Sequence, residues 1–160
     1  MSLPRGARLA LDVGRVRVGV AASDPDGLVA TPVATLAPGD RARVVEEVRE
    51  RGVLVVYVGL PRHLSGAEGA SAALARAYAR DLAGEISPVE VRMVDERMST
   101  VSATSALRAA GKPGRRQREV VDQAAAVVIL QGALDTERAT GRRAGEPVRA
   151  QETGETETER

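Results

Sequence analysis

Residues Arg8–Thr35 read RLALDVGRVRVGVAASDPDGLVATPVAT, and the pattern of this stretch decides the fold class. Arg8–Val13 reads as a first strand, almost continuously apolar through Leu9, Ala10 and Leu11. Gly14–Val16 turns the chain, and Val18, Val20 and Ala22 alternate along a second strand, Arg17–Ala22. In Ser23-Asp24-Pro25-Asp26-Gly27, proline presets φ and glycine accepts a positive φ, so Asp24 is read as a builder of that turn. Leu28–Thr35 is a third strand. Three strands joined by tight links make an antiparallel meander.

Beyond the meander the period changes. Asp40 is a candidate N-cap for a helix whose stripe is Val44, Val45 and Val48 and whose stop is Gly52. Val53–Gly59 is a nearly unbroken apolar run, as expected of a central buried strand. A loop over Pro61–Gly69 leads to an amphipathic helix through Ala75, Tyr78, Ala79 and Leu82. Ser87-Pro88 breaks the chain before a strand at Val89–Val94. Ser99 or Thr100 caps a helix through Ala103, Ala106, Leu107 and Ala110 that ends at Gly111. The last helix, Arg116–Glu137, is apolar on almost every face from Ala124 to Leu130 and reads as buried. A meander followed by alternating helices and strands gives an α/β fold, a mixed five-stranded sheet flanked by helices. The folded domain spans 1–138. Residues 139–160 carry few large apolar side chains and read as a disordered polar tail.

Composition narrows the function. The 160-residue chain is 43% hydrophobic but 1% aromatic, with no Phe or Trp, which argues against RNA-binding modules that stack bases on aromatic platforms. With no cysteine there is no disulfide scaffold, thiolate zinc site or cysteine nucleophile. The net charge is +1, yet the basic residues gather at Arg5–Arg8, Arg15–Arg17, Arg41–Arg51 and Lys112–Arg118. Nearly all are arginine, suited to bidentate phosphate contact. No apolar run approaches the length of a membrane span and no signal peptide is evident, so a cytoplasmic location is expected.

Three acidic positions stand out against apolar surroundings. Asp12 ends the first strand, where a carboxylate near a core needs a cationic partner. Asp95 and Glu96 end a later strand just before a helix start, the edge at which open α/β sheets bind ligands. Asp122 is the lone charge in VVDQAAAVVILQ, residues 120–131. Each has a plainer explanation in a turn hydrogen bond or a helix dipole. Together they suggest carboxylates converging at one sheet edge. An all-oxygen set selects Mg²⁺ or Mn²⁺ over Zn²⁺, and two such ions can promote phosphodiester hydrolysis.

The stretches Leu11–Gly14 through Gly19–Asp24, Val58–Pro61, Asp95–Thr100 and Asp122–Ala126 resemble the YqgF/RuvX family, in order and spacing, over about Arg8 to Asp135. The resemblance implies an RNase H-like fold and a nuclease that processes the 5′ end of pre-16S rRNA, or resolves Holliday junctions in branched DNA. It implies an acidic catalytic and metal-binding site at Asp12, Glu96 and Asp122, holding two Mg²⁺ or Mn²⁺ ions. Candidate substrate contacts are Arg15, Arg17, Arg97, Ser99, Thr100 and Arg116. The family's loop after Gly-Leu-Pro commonly carries Asn and Asp, whereas this chain has Arg62-His63-Leu64-Ser65-Gly66. His63, the sole histidine, reads as an exposed loop residue. The expected partners are precursor rRNA or branched DNA and ribosomal particles, with no membrane, for a monomer or homodimer. Two other classes were weighed. A kinase of the actin and sugar-kinase type shares Asp-x-Gly after its first strand but needs a second large domain. A non-catalytic nucleic-acid or ribosome-assembly module would keep the fold without cleavage.

Overall fold

The computed structural model describes residues 3–96 and 115–150, with the side chains of 115–119 outside that description. Six strands form one sheet: β1 (Arg8–Val13), β2 (Val18–Ser23), β3 (Ala30–Leu36), β4 (Val55–Leu60), β5 (Glu90–Asp95) and β6 (Glu146–Pro147). Their spatial order is β3-β2-β1-β4-β5-β6. The first three strands pair antiparallel, as the alternating pattern predicts, while β1-β4 and β4-β5 are parallel. The register of β2 on β3 shifts between Val20 and Ala21, opposite Pro32, which the edge position of β3 accommodates.

Three helices cover the sheet among the described residues: α1 (Arg41–Arg51), α2 (Ala70–Ile86) and α3 (Arg115–Thr140). Gly52 ends α1 in the left-handed conformation that its glycine permits. Asp40 precedes α1 as expected but makes no side-chain capping bond.

Strand alternation sorts the core into two layers. Leu9, Leu11, Val18, Val20, Val56, Val58, Val91 and Met93 face α1 and α2, packing on Val44, Val48, Ala75, Tyr78, Ala79 and Leu82. Ala10, Ala21, Val55, Tyr57 and Val94 face α3 and pack on Ala126, Ile129, Leu130, Ala133 and Leu134. The α3 side is floored by small residues in β1 and β2, so that helix lies close to the sheet. Only this stripe of α3 is buried; Val127 and Val128 are half-exposed. The expectation of burial on all faces is thereby corrected: a helix on an outer layer needs one covered stripe.

The sheet has six strands where five were expected, and the structured region runs past residue 138. α3 continues to Thr140, and β6 adds antiparallel to β5 through Arg92–Pro147 and Met93–Glu146. Arg92 donates to the carbonyls of Ala144 (2.6 Å) and Gly145 (2.7 Å), and Ala144 is buried. A segment poor in apolar residues is ordered here by backbone hydrogen bonds rather than by a core of its own. The helix expected over 99–111 lies outside the described residues.

At the end of the sheet where β1 begins, four side chains form a buried ionic knot. Glu137 accepts from Arg8 (3.0 Å), from Arg143 (3.0 Å) and from the Tyr57 hydroxyl, and that hydroxyl accepts from the Ala144 amide (3.3 Å). Arg8 also donates to the carbonyls of Gly6 and Pro25. Two guanidiniums on one carboxylate keep the buried charge fully partnered. The knot ties β1, β4, the end of α3 and the segment before β6 together.

Candidate active site

Because β1, β4 and β5 are parallel, their C-terminal ends meet at one edge of the sheet. Asp12 lies there, half-buried, with the parity of Ala10 and hence on the α3 face. Its cross-strand partner on β2 is Gly19. On the other side, one step beyond the Leu11–Val58 pair, lies Gly59 of β4. The carboxylate thus stands between two glycines.

Both glycines are spaces that other parts of the site fill. A Cβ on Gly19 would lie 2.1 Å from the backbone oxygen of Asp122. The α3 backbone therefore rests on β2 at the Asp122 turn, a position that no side chain on residue 19 would allow. A Cβ on Gly59 would lie 2.8 Å from Glu96 Oε1 and 2.6 Å from Ile129 Cδ1. The Glu96 side chain therefore passes over β4 beside Asp12. Residues from β1, the end of β5 and the first half of α3 come together at one place.

The structure separates the acidic pair that ends β5. Asp95 approaches Arg62 Nε at 3.8 Å, while Glu96 lies over Gly59 on the α3 side. Strand parity is the cause, since adjacent residues point to opposite faces. Arg62 also lies 3.5 Å from Glu68, which accepts two hydrogen bonds from Arg76. The loop that departs from the family pattern is thus held by ion pairs that reach from Arg62 to Glu68 and to Asp95 at the end of β5, and from Glu68 to Arg76 of α2.

Asp122 is paired with Arg17, Nε to Oδ2 at 2.5 Å, and both side chains are partly exposed. Arg17 sits at the start of β2, where the Gly14 amide donates to its carbonyl at 2.9 Å and closes the turn after Asp12. A guanidinium therefore already serves as a cation at this edge. Among the described residues no group of three or more His, Cys, Asp or Glu stands arranged as a ready metal cluster. The donor chemistry nevertheless fits a hard divalent cation: Asp12, Glu96 and Asp122 offer oxygen ligands only, and the two glycines let the Glu96 side chain and the Asp122 turn lie against the strands beside Asp12.

Of the other candidates, Arg15 is exposed at the turn tip beside Val16. Arg97, Ser99 and Thr100 lie outside the described residues, as does the side chain of Arg116. Asp24 builds its turn, accepting from the amides of Asp26, Leu28 and Val29 at 2.8–3.1 Å. The Val29 amide leads the hydrogen bonds that hold its carboxyl below the ordinary value. Asp24 follows β2, at the end of the sheet opposite Asp12. His63 is exposed, and its backbone closes a short loop with Gly66 and Ala67. Sequence reasoning did not assign Gly19 or Gly59 to the site. The usable signal was a glycine within a strand, which marks a close approach of other backbone.

Comparison with known proteins shows the family and the fold. A family model described as RuvX, Holliday junction resolvase, matches residues 6–136. A relative from Streptomyces avermitilis is 50% identical over 152 residues, covering 92% of this chain and 97% of its own. One from Nocardioides is 55% identical over 150 residues, covering 89% and 96%. Both carry the name "Putative pre-16S rRNA nuclease". Among solved structures, Thermus thermophilus RuvC in complex with a Holliday junction substrate aligns with TM-score 0.59 and 16% identity, over 89% of this chain and 99% of that one. A second structure of the same RuvC aligns with TM-score 0.52. The six-stranded mixed sheet with its flanking helices is the RNase H-like fold of RuvC.

Proposed function

The chain belongs to the RuvX family, and on that premise we propose that it is a metal-dependent nuclease that trims the 5′ side of precursor 16S rRNA. One observation carries the reading. Asp12 stands between Gly19 and Gly59, the Asp122 backbone rests over the first and the Glu96 carboxylate lies over the second. Three acidic residues from three elements thereby reach one end of the sheet, where oxygen donors suit a divalent cation.

In this reading Asp12, Glu96 and Asp122 hold Mg²⁺ or Mn²⁺. Bound there, a pair of divalent ions supplies Lewis-acid charge to the scissile phosphate and its attacking water. The protein positions the chemistry. Gly19 lets the Asp122 turn rest on β2 and Gly59 lets the Glu96 side chain lie over β4, Arg17 balances Asp122, and Arg15 at the turn tip reaches toward a phosphate of the substrate. Arg97, Ser99, Thr100 and Arg116 complete the substrate contacts. The nuclease acts in the cytoplasm on precursor ribosomal particles, as a monomer or homodimer.

Resolution of branched DNA is the second reading, favoured by the family description and by the RuvC fold. Purified protein incubated in Mg²⁺ or Mn²⁺ with a precursor 16S rRNA fragment and with a four-way DNA junction separates the two. Cleavage of the RNA within its 5′ leader, lost in Asp12→Asn, is the expected result. Symmetric nicking of the junction with the RNA intact would favour the second reading. No cleavage of either substrate would leave a non-catalytic assembly module.

A further inference from the structure

Most described arginines are neutralised by carboxylates. Arg5 pairs with Asp26, Arg41 with Glu85, Arg43 and Arg51 with Glu47, Arg92 with Glu90, and Arg138 with Asp135. Arg80 and Arg149 form no ion pair among the described residues, and both open onto the same cavity of about 280 Å³. Arg76 stands beside them, four residues from Arg80 and so on the same side of α2. The floor is Met93, Pro147 and Val148. Arg80 and Arg149, without a carboxylate partner among the described residues, thus stand over an apolar floor, while Arg76 is held by Glu68 and also faces the charge of Glu146 beside Pro147.

The platform is built rather than incidental. Arg149 belongs to the segment that β6 docks on β5, and the Val148 amide donates to the Val91 carbonyl at 2.8 Å. Gly145, at φ 70°, lets that segment approach so closely that a Cβ would lie 2.0 Å from the Met93 carbonyl oxygen. Met93 of β5 is three residues before Glu96, so the cavity and the candidate catalytic edge are roughly 10 Å apart along the strand direction, on opposite faces of the sheet.

We propose that this cavity is a second nucleic-acid contact, in which Arg80 and Arg149 take consecutive backbone phosphates and the Met93–Val148 floor takes the sugar between them. It is separate from the cleavage site, lying on the α2 side of the sheet, and it guides the strand around the β5–β6 edge toward Glu96. The proposal rests on the nuclease reading for its ligand.

The test is fluorescence anisotropy on the full chain in EDTA, so that nothing is cleaved, with a labelled single-stranded RNA titrated at several salt concentrations. Wild type is compared with Arg80→Gln/Arg149→Gln and with Arg49→Gln/Arg142→Gln, which neutralises two other arginines without ion pairs. The cavity variant should bind roughly tenfold more weakly at low salt, with a log–log salt slope shallower by about 1.4, the release of two single-strand counterions. The control pair should match wild type. If the cavity variant keeps both the wild-type affinity and slope, or if the control pair loses as much, the proposal is overturned. Displacement of the RNA by an equal concentration of inorganic phosphate would assign the cavity to a small anion and overturn it too. Wild type that binds no RNA would instead bring down the nuclease reading, and the cavity assignment with it.

Discussion

Among single residues, Gly19 and Gly59 shape the candidate site through the side chains they lack, as Asp12, Glu96 and Asp122 do through their carboxylates. Gly19→Ala would drive a methyl to 2.1 Å from a backbone oxygen of α3, and neither the strand nor the helix can yield without moving. A loss of about 1–3 kcal/mol in urea unfolding is expected, together with loss of cleavage. Gly59→Ala meets only the tips of the Glu96 and Ile129 side chains, which can rotate away. Its stability should fall by less than that of Gly19→Ala, while cleavage drops as sharply because Glu96 is displaced. Arg17→Met removes the cation that faces Asp122. It should leave the melting temperature within a few degrees of wild type, since the pair is partly exposed, and should weaken substrate binding. Asp12 and Asp122 stand out in the sequence as anions set in apolar runs, whereas Glu96, between Asp95 and Arg97, is singled out only by the family resemblance. The glycines were not legible, because a glycine in a strand equally suits a bulge or a turn, and only the helix lying on it reveals its use.

At the scale of elements, α3 carries both ends of the story. Its Asp122 turn rests on Gly19 and its last turns carry Glu137 into the buried knot. Glu137→Gln would leave Arg8 and Arg143 buried without a counter-charge, for a loss of about 3–5 kcal/mol by chemical denaturation. Burial first, and then the hydrogen bond to Glu137, push the Tyr57 hydroxyl above its ordinary titration range, and burial pushes Tyr78 up to about 12. Both phenols keep their protons in the folded state after the unfolded chain would lose them. Stability should therefore fall as pH rises beyond about 10. The acid side has the opposite origin. The hydrogen bond from Arg51 leads the interactions that lower Glu47, and that from Arg41 leads those on Glu85. Their stabilisation is complete above the unfolded value near ~4.3 and is lost as pH falls through the lower folded values. Melting temperatures across this range should show both limbs, with Tyr57→Phe flattening the alkaline one. The span of α3 was readable from its apolar period. Its one-sided burial was not, because alanine-rich stretches look apolar whether covered or open.

For the whole molecule, the order of elements was legible because each change of hydrophobic period marks a change of element. Arg8–Val13 emerges at the predicted bounds, and the meander, α1, the central strand, α2, β5 and the last helix appear in the predicted order, with the helix expected over 99–111 outside the described residues. The sixth strand was hidden because two residues of backbone pairing leave no period to detect. It matters all the same, since it closes the β5 edge and carries Arg149. A chain ending at Thr140 loses Arg143, Ala144 and β6 together. Its melting temperature should drop by roughly 10 °C from that of the full chain, which thermal unfolding followed by circular dichroism would register.

If Asp12, Glu96 and Asp122 act as one unit, their substitutions share a single loss of activity. Cleavage of a precursor 16S rRNA fragment in Mg²⁺ would be timed for Asp12→Asn, Glu96→Gln, Asp122→Asn and the pairwise combinations. Residues that share one function are non-additive, so each single variant should lose about a thousandfold or more and each double should be no worse than a single. A single variant that cuts at the wild-type rate, or doubles whose losses multiply, would contradict a shared carboxylate centre.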